Sequence, residues 1–193
     1  MTFTESEILS YRREKDEAFA NESDSPIPSQ ARPQFTGLTY YPPDKRYYVP
    51  TKLIPAKDEA WVTMTTSDGD ERKMLVAGHF EFTIEASKVR LTAYRHGPDD
   101  DHVFIPFRDA TAPQETYGAG RYLDVPYRPD QLIFLDLNYA YNPYCAYNDD
   151  FSCPFPPRDN WITVPIRAGE KNWEKPTETE AGAAHPPGLS GHR

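Results

Sequence analysis

The chain has 193 residues and a formal net charge of −9, and it is rich in Pro (20), Tyr (13) and Phe (10). This length fits one domain, or one domain with tails, and is enough to bury a sizeable core. Affinity for phosphate comes from clustered Lys and Arg, so the acidic charge argues against a nucleic-acid-binding protein and against docking on an anionic membrane. No apolar run approaches the roughly 20 residues that span a bilayer, and the first residues lack a secretory-signal pattern, so we expect a cytoplasmic protein.

Residues 1–23 are predicted to form a helical unit, with the helix itself at 5–21. Thr4 and Glu7 fit a capping pattern in which their side chains satisfy amides of the first turn. The apolar residues expected to pack this helix against a β frame are Ile8, Tyr11 and Phe19. Residues 24–55 follow as a segment rich in Pro and Tyr, and a disordered linker would lack such aromatic residues. We therefore predict that this segment wraps the domain and docks its rings.

Residues 56–168 show the period-two alternation of antiparallel sheets that have one buried and one solvated face. The predicted strands are 47–51, 61–66, 73–78, 80–84, 89–93, 103–107, 122–125, 131–139 and 161–166. Helical crossovers are missing, which excludes a parallel α/β fold. The predicted fold class is all-β, an antiparallel barrel or barrel-like sandwich with an N-terminal helix. Residues 169–193 have low apolar content and are predicted to be a disordered tail.

A long excursion between two predicted strands concentrates charged residues around Gly118 and Gly120. Glycine permits positive φ or close backbone approach, and the fork of an Arg side chain suits bidentate contacts with carboxylate or phosphate. Either an Arg braces the excursion by pairing with an acid, or one Arg clamps an anionic ligand. The candidate residues in this excursion are Arg108, Asp109, Glu115, Tyr117 and Arg121.

A second group of candidates lies in 132–158, which begins as a strand and ends as a loop rich in Asn, Tyr and Pro. A buried polar side chain that stays unpaired costs about 1–3 kcal/mol. Asp136, Asn138 and Asn142 therefore either pin the backbone of the loop or line the polar floor of a pocket. With Tyr147 and Cys145, the two asparagines form the set of candidate ligand-binding residues in this segment.

Both cysteines of the chain, Cys145 and Cys153, lie in the same loop. They are interpreted as packed thiols, with a disulfide or a nucleophilic Cys145 served by His79 as alternatives. No further soft ligands accompany them, so no metal site is predicted. The acidic stretch 96–102 lacks the alternating spacing of a calcium loop and is predicted to be a solvated hairpin tip.

Five motifs carry a family resemblance: SPIP (25–28), FTGLTYY (35–41), PFRDATAPQETYGAGRYLD (106–124), LDLNYAYNPYCAYNDDFSCPFPPRDNW (135–161) and IRAGE (166–170). In these motifs the chain resembles the DUF1684 family of uncharacterised bacterial and archaeal proteins, and its acidic composition is similar to that of the halophilic archaeal members. The resemblance covers residues 8–170 and carries over no catalytic residue. It implies that blocks 106–124 and 135–161 meet in space.

We therefore expect the antiparallel frame to bring these two blocks face to face around a concave mouth that binds a small molecule, an anionic one in the case of an Arg clamp. One alternative is an enzyme that uses an Asp, a Glu or Cys145 in that pocket. A structural or protein-interaction module is the other alternative. The sequence predicts no cofactor, no metal ion, and no nucleic-acid or membrane partner, and it leaves the oligomeric state open.

Overall fold

A computed structural model describes residues 2–174, in which one α-helix, α1 (Glu5–Asn21), precedes seven strands. The strands are β1 (Tyr48–Pro55), β2 (Trp61–Thr65), β3 (Glu71–Ile84), β4 (Ser87–Arg95), β5 (His102–Phe107), β6 (Arg121–Pro126) and β7 (Leu132–Asp136). They pair antiparallel in the order β6-β5-β4-β3-β1-β7, with β2 added on β3. The sheet forms a half-barrel, which confirms the predicted all-β, barrel-like class with an N-terminal helix.

Strand β3 pairs with two strands, β2 and β1, along the same edge, and a glycine makes this possible. Residues 71–75 pair with β2, and residues 78–80 pair with β1. The register towards β4 shifts between Val76 and Gly78, and Gly78 has a φ of 146°. A β-carbon at this position would lie 2.1 Å from the carbonyl oxygen of Ile54. Only glycine therefore allows β1 to approach the bulge in β3.

Apolar side chains are buried on both faces of β5 and β6. The main core includes Phe80, Leu91, Ile105, Leu123 and Leu135. A second cluster on the opposite face contains Met74, Tyr94, Phe104, Tyr122, Cys145 and Cys153. The prediction of one solvated face is wrong for β5, because the loop that carries the cysteines covers that face. Alternate residues such as Phe104 are therefore buried as well.

Two predicted strands have different ends in the structure. β7 stops at Asp136, because its carboxylate accepts hydrogen bonds from the backbone N–H of Asn138 at 3.0 Å and from Nδ2 of Asn138 at 2.7 Å. The predicted strand 161–166 is instead an irregular segment with a single bridge between Arg108 and Trp161. Its apolar side chains pack against the main core. An irregular segment can pack alternate apolar side chains on the core without pairing with a neighbouring strand, so the alternating pattern wrongly predicted a strand here.

The two ends of the described chain depart in detail from expectation. The helix begins and ends where predicted, but the Thr4 hydroxyl donates to the carbonyl of Thr2 at 3.1 Å and caps no amide of the first turn. The predicted tail begins too early, since the N–H of Glu170 donates to the carbonyl of Ala140 at 2.8 Å and Glu170 is buried. Residues 175–193 of that predicted tail lie outside the described residues. Of the predicted wrapping segment 24–55, residues 24–47 pass over the domain with Tyr41 and Tyr47 buried, whereas Tyr48–Pro55 form β1, which lies between β3 and β7 in the sheet.

Candidate functional site

Blocks 106–124 and 135–161 lie against each other. Tyr122 and Tyr141 exchange both backbone hydrogen bonds, with N–H to carbonyl distances of 2.8 and 2.9 Å. The N–H of Arg108 donates to the carbonyl of Asn160 at 3.0 Å. Backbone hydrogen bonds therefore hold the two blocks together, and a binding site has to be sought in the side chains between them and in the cavities beside them.

Arg121 is enclosed in this joint, with a fully buried side chain. Its Nη2 donates to Oδ1 of Asp109 at 3.1 Å and to the carbonyl of Ile166 at 2.8 Å, and its Nη1 donates to the carbonyl of Glu170 at 3.0 Å. The other carboxylate oxygen of Asp109 accepts hydrogen bonds from the N–H of Ile166 at 2.6 Å and from the Thr111 hydroxyl at 2.8 Å. The pair fastens the C-terminal segment to β6 and is sealed from solvent.

The other charged candidates of the excursion also have partners within the protein. Nε of Arg108 donates to the carbonyl of Gly118 at 2.8 Å, and its guanidinium lies 4.8 Å from the centroid of a ring of Trp161. Glu115 pairs with Arg167 at 2.9 Å, and this contact holds the pKa of the Glu115 carboxyl below its usual value. These contacts correspond to the bracing role for the excursion.

The two asparagines hold the loop to distant backbone segments. Oδ1 of Asn138 accepts from the N–H of Asp44 at 2.8 Å, and its Nδ2 donates to the carbonyl of Asp44 at 3.0 Å. The N–H of Asn142 donates to Oε2 of Glu170 at 2.8 Å, and its Nδ2 donates to the carbonyl of Lys171 at 2.9 Å. Both side chains therefore pin backbone, as one of the two interpretations expected.

Glu170 organises the end of the loop, although the sequence placed it in a predicted tail. Its side chain accepts hydrogen bonds from the N–H of Asn142 and, at 2.5 Å, from the hydroxyl of Tyr147, and it forms an ion pair with Lys15 of α1. Burial first, and then the charge of Glu170, raises the pKa of Tyr147 well above its usual value. The IRAGE motif at 166–170 was the signal in the sequence that this segment is structured.

Cys145 and Cys153 are free, buried thiols. The N–H of Cys145 lies 3.3 Å from Sγ of Cys153, and the hydroxyl of Tyr117 lies 3.8 Å from Sγ of Cys145. Hydrogen bonding to Cys153, and then to Tyr117, lowers the pKa of Cys145. His79, the base that the sequence offered, pairs with Glu81 at 3.4 Å. The thiols are therefore packed together without a disulfide.

An open cavity of about 680 Å³ lies beside this joint, between α1, the β-sheet and the loop that follows β7. We call it the aromatic cavity, because its lining includes Tyr11, Phe19, Phe104, Tyr122, Tyr141, Tyr144 and Phe151. None of the nine predicted site residues is among the residues that line it in the described part of the chain. Their polar groups are directed to each other and to backbone within the joint, whereas their neighbours Tyr122, Asp124 and Tyr141 line the cavity.

The polar part of the aromatic cavity contains Asp124 and Tyr141. The hydroxyl of Tyr141 donates to Oδ2 of Asp124, and burial, followed by the Asp124 charge, raises the pKa of Tyr141. Asp124 keeps contact with solvent, yet the surrounding protein removes part of its hydration and raises its pKa above the usual carboxyl value. Asp100 adds to this rise, and the hydrogen bond from Tyr141 and the nearby His96 and His102 oppose it.

A second, more polar cavity of about 440 Å³ is lined by parts of the segments 34–39, 114–115 and 171–174. Glu115 is the one predicted site residue that lines it within residues 2–174. Its carboxylate already has Arg167 and the Tyr41 hydroxyl as partners. This cavity therefore has no charged group of the predicted set available for a ligand.

The hairpin between β4 and β5 holds the one group of side chains within residues 2–174 that could hold a metal ion, Asp100, Asp101 and His102, whose ligand atoms lie within 4.8 Å of one another. Asp100 already accepts the backbone N–H groups of His96 at 3.2 Å and His102 at 3.1 Å. Asp101 contacts the His102 ring at 2.7 Å. The acids thus stabilise the hairpin tip.

The fold and the aromatic cavity together define a small all-β half-barrel protein with an N-terminal helix beside a concave, ring-lined site. The family model described as a protein of unknown function (DUF1684) matches residues 33–171, and the chain belongs to this family. The chain is also similar to the uncharacterised protein from gene locus rrnAC0354 of Haloarcula marismortui. That solution NMR structure matches with a TM-score of 0.69 and 37% identity, over 86% of this chain and 93% of that chain. A search among curated proteins gives no match.

The described residues contain one α-helix, α1, which is the helix to consider for a membrane span. Within residues 2–174 there is no helix whose length and apolar character would let it cross a bilayer. The function has to be argued from the cavity and the residues around it.

Proposed function

We propose that this protein binds a small, flat and largely apolar molecule in the aromatic cavity. The observation that carries the proposal is the cavity itself, about 680 Å³ in volume, whose lining combines seven Phe and Tyr side chains with charged and polar residues at its edge and with Pro143, Cys153 and Pro154. Ligand sites in proteins are typically concave, roughly 300–1,000 Å³ in volume, and lined by apolar and aromatic side chains with few polar groups.

The aromatic side chains of the cavity are held in place before any ligand arrives. Phe104 and Tyr122 meet edge to face with ring centroids 4.6 Å apart, and Tyr122 and Tyr141 do so at 5.7 Å. The hydroxyl of Tyr122 donates to the carbonyl of Pro154 at 2.6 Å. A site whose side chains are already ordered loses less conformational entropy on binding, which favours affinity for a rigid, flat ligand.

The proposal places the ligand beside the joint between the two blocks and not inside it. The arginines that suggested an anionic ligand have other partners, since Arg121 pairs with Asp109 and Arg108 contacts Gly118 and Trp161. A ligand that entered between the blocks would have to break these contacts. A ligand in the aromatic cavity breaks none of them.

Indole, a neutral flat molecule, provides the test. Titration into the ¹⁵N-labelled protein should give saturable amide shifts at Phe104, Tyr122 and Tyr141. Glu14 is an exposed residue of α1 that lines the cavity, so Glu14→Trp should fill the cavity with its side chain and abolish these shifts. Glu17→Trp is the matched control, because Glu17 is exposed on the same helix and is not part of the lining.

The expected result is saturation in the unmodified protein and in Glu17→Trp, with none in Glu14→Trp. Absence of saturable shifts in the unmodified protein would overturn the proposal. Equal binding by the two Trp variants would also overturn it, because the ligand would then lie elsewhere.

A further inference from the structure

The charged side chains that line the aromatic cavity differ in whether the protein neutralises them. Lys15 is paired with the buried Glu170, and its ammonium group lies 5.1 Å from the ring centroid of Tyr141. Asp124 accepts a hydrogen bond from the Tyr141 hydroxyl. Among residues 2–174, no Lys, Arg or His nitrogen lies within 4.0 Å of the Asp124 carboxylate. The fold therefore leaves Asp124 without an ion pair, and the nearest cationic groups that act on its carboxylate are His96 and His102.

The other charged side chains of the lining, Glu14 and Arg72, are exposed, as Asp124 is. Glu14 accepts a hydrogen bond from the Ser10 hydroxyl at 3.1 Å, and Arg72 donates to the carbonyl of Ser152 at 3.4 Å. Asp124 differs from both in that its carboxylate accepts a hydrogen bond from the hydroxyl of Tyr141, an aromatic residue of the lining. Asp124 is thus the charged group that an aromatic residue of the cavity holds in position for a ligand of opposite charge.

Aromatic rings lie beside this carboxylate, since Tyr141 donates to it and Phe104 is directly opposite Asp124 in the pairing of β5 with β6. Tyr122 and Tyr141 cross at an interplanar angle of 87°, and Phe104 and Tyr122 cross at 73°. The faces of such rings carry negative electrostatic potential and attract ammonium groups, with Tyr and Phe both effective. Lys15 lies over the Tyr141 ring and the His96 ring stacks on that of Phe104 with ring centroids 6.2 Å apart, so cationic or cationisable groups of the protein already use ring faces here. The carboxylate and the remaining ring faces attract an organic cation through two independent interactions.

Building on the proposed function, we propose that the ligand of the aromatic cavity is an organic amine, a protonated primary or secondary ammonium group on a flat apolar body. The ammonium group pairs with Asp124, which the Tyr141 hydroxyl holds in position. The apolar body occupies the ring-lined part of the cavity. Asp124 thereby selects the charge of the ligand, and the aromatic walls select its shape.

Three probes that share an indole ring separate charge from shape: tryptamine, tryptophol and indole-3-propionate, which end in an ammonium, a hydroxyl and a carboxylate group. Their dissociation constants are measured at neutral pH by the same amide-shift titration. Both tryptamine and tryptophol can donate a hydrogen bond to Asp124, and an ion pair with an exposed carboxylate adds little, so tryptamine should bind roughly two- to fivefold more tightly than tryptophol. Indole-3-propionate should bind most weakly.

Asp124→Asn keeps the shape of the side chain and removes its charge. It should abolish the preference for tryptamine and leave the dissociation constant of tryptophol unchanged. Asp99→Asn is the matched control, because Asp99 is an exposed acid of the neighbouring hairpin that does not line the cavity. This control should keep the preference for tryptamine.

Equal binding of tryptamine and tryptophol, or tighter binding of the carboxylate probe, would overturn this inference and leave the proposed function standing. A preference for tryptamine that survives in Asp124→Asn would overturn the assignment to Asp124. Failure of all three probes to bind would overturn the proposed function itself. The comparison of probes on the unmodified protein needs no variant, so it decides the question even if Asp124→Asn fails to fold.

Discussion

Replacing Arg121 with Met should destabilise the protein strongly, because the substitution leaves a buried carboxylate without its counter-charge. The side chains of Arg121 and Asp109 are 0% and 2% exposed, and the distance from Nη2 to Oδ1 is 3.1 Å. Met is an unbranched and adaptable side chain that fills much of the space left by Arg. The experiment therefore measures lost charge and hydrogen bonding more than lost packing.

The expected magnitude follows from the groups that lose a partner. Removing one member of a buried ion pair typically costs about 3–5 kcal/mol. Arg121 also donates to the carbonyls of Ile166, Ala168 and Glu170, and a buried acceptor that stays unpaired costs about 1–3 kcal/mol. Asp109 keeps its hydrogen bonds from Thr111 and from the N–H of Ile166, which limits the loss. We expect the free energy of unfolding to fall by about 4–6 kcal/mol.

Urea denaturation followed by tryptophan fluorescence measures this change. Arg167→Met is the matched control, because it removes an Arg–carboxylate pair of similar length, 2.9 Å to Glu115, whose Arg side chain is 55% exposed. Solvent screens such a pair, so the denaturation midpoint of Arg167→Met should stay close to that of the unmodified protein. Arg121→Lys keeps the charge but loses the planar fork, and it should rank between Arg121→Met and the unmodified protein.

A loss in Arg121→Met no larger than the loss in Arg167→Met would refute the reasoning, since burial would then make no difference to the pair. Should Arg121→Met fail to fold, Arg121→Lys decides the question. The reasoning fails if Arg121→Lys is as stable as the unmodified protein.

Three further predictions concern the sheet, the aromatic cavity and the thiols. Gly78→Ala combines a clash with the Ile54 carbonyl and a positive φ, so it should lower the free energy of unfolding by roughly 2–6 kcal/mol in urea denaturation. Gly69→Ala, with a φ of 90° and no atom within 4 Å, should cost less, and equal costs would contradict the clash. Because the folded state raises the pKa of Asp124, the contribution of this carboxyl to the free energy of unfolding should fall as pH rises from the usual carboxyl pKa of about 3.9 through the raised value. Asp124→Asn should remove that fall in denaturation series between roughly pH 3 and pH 7, and an identical pH dependence in both proteins would count against the shift. Cys145→Ser should change the free energy of unfolding by less than about 2 kcal/mol, because the serine hydroxyl can use the same polar neighbours, and it should keep indole binding. Loss of indole binding with an intact amide spectrum would show that the thiol does more than pack.

The sequence correctly predicted that two segments lie against each other, but it placed the wrong residues of those segments in the lining of the cavity. Blocks 106–124 and 135–161 do meet, and their Arg and Asn side chains were expected to line a mouth. Alternation along β6 places Tyr122 and Asp124 on one face, opposite Leu123. The alternation cannot reveal what covers that face. In the structure, the face of β6 that carries Tyr122 and Asp124 forms part of the wall of the aromatic cavity beneath α1.

The sequence by itself determined the features that depend on neighbouring residues: the bounds of α1, most of the strands of the antiparallel sheet and the all-β class. Alternation and turn chemistry act over a few residues, so they can be recognised without knowing the fold. Only the tertiary structure decided the role of Glu170, which pairs with Lys15 across 155 positions of the chain. It also decided that Arg121 braces the joint and that Asp124 faces a cavity. Burial and pairing of charges depend on residues far apart in the chain, and no local pattern contains that information.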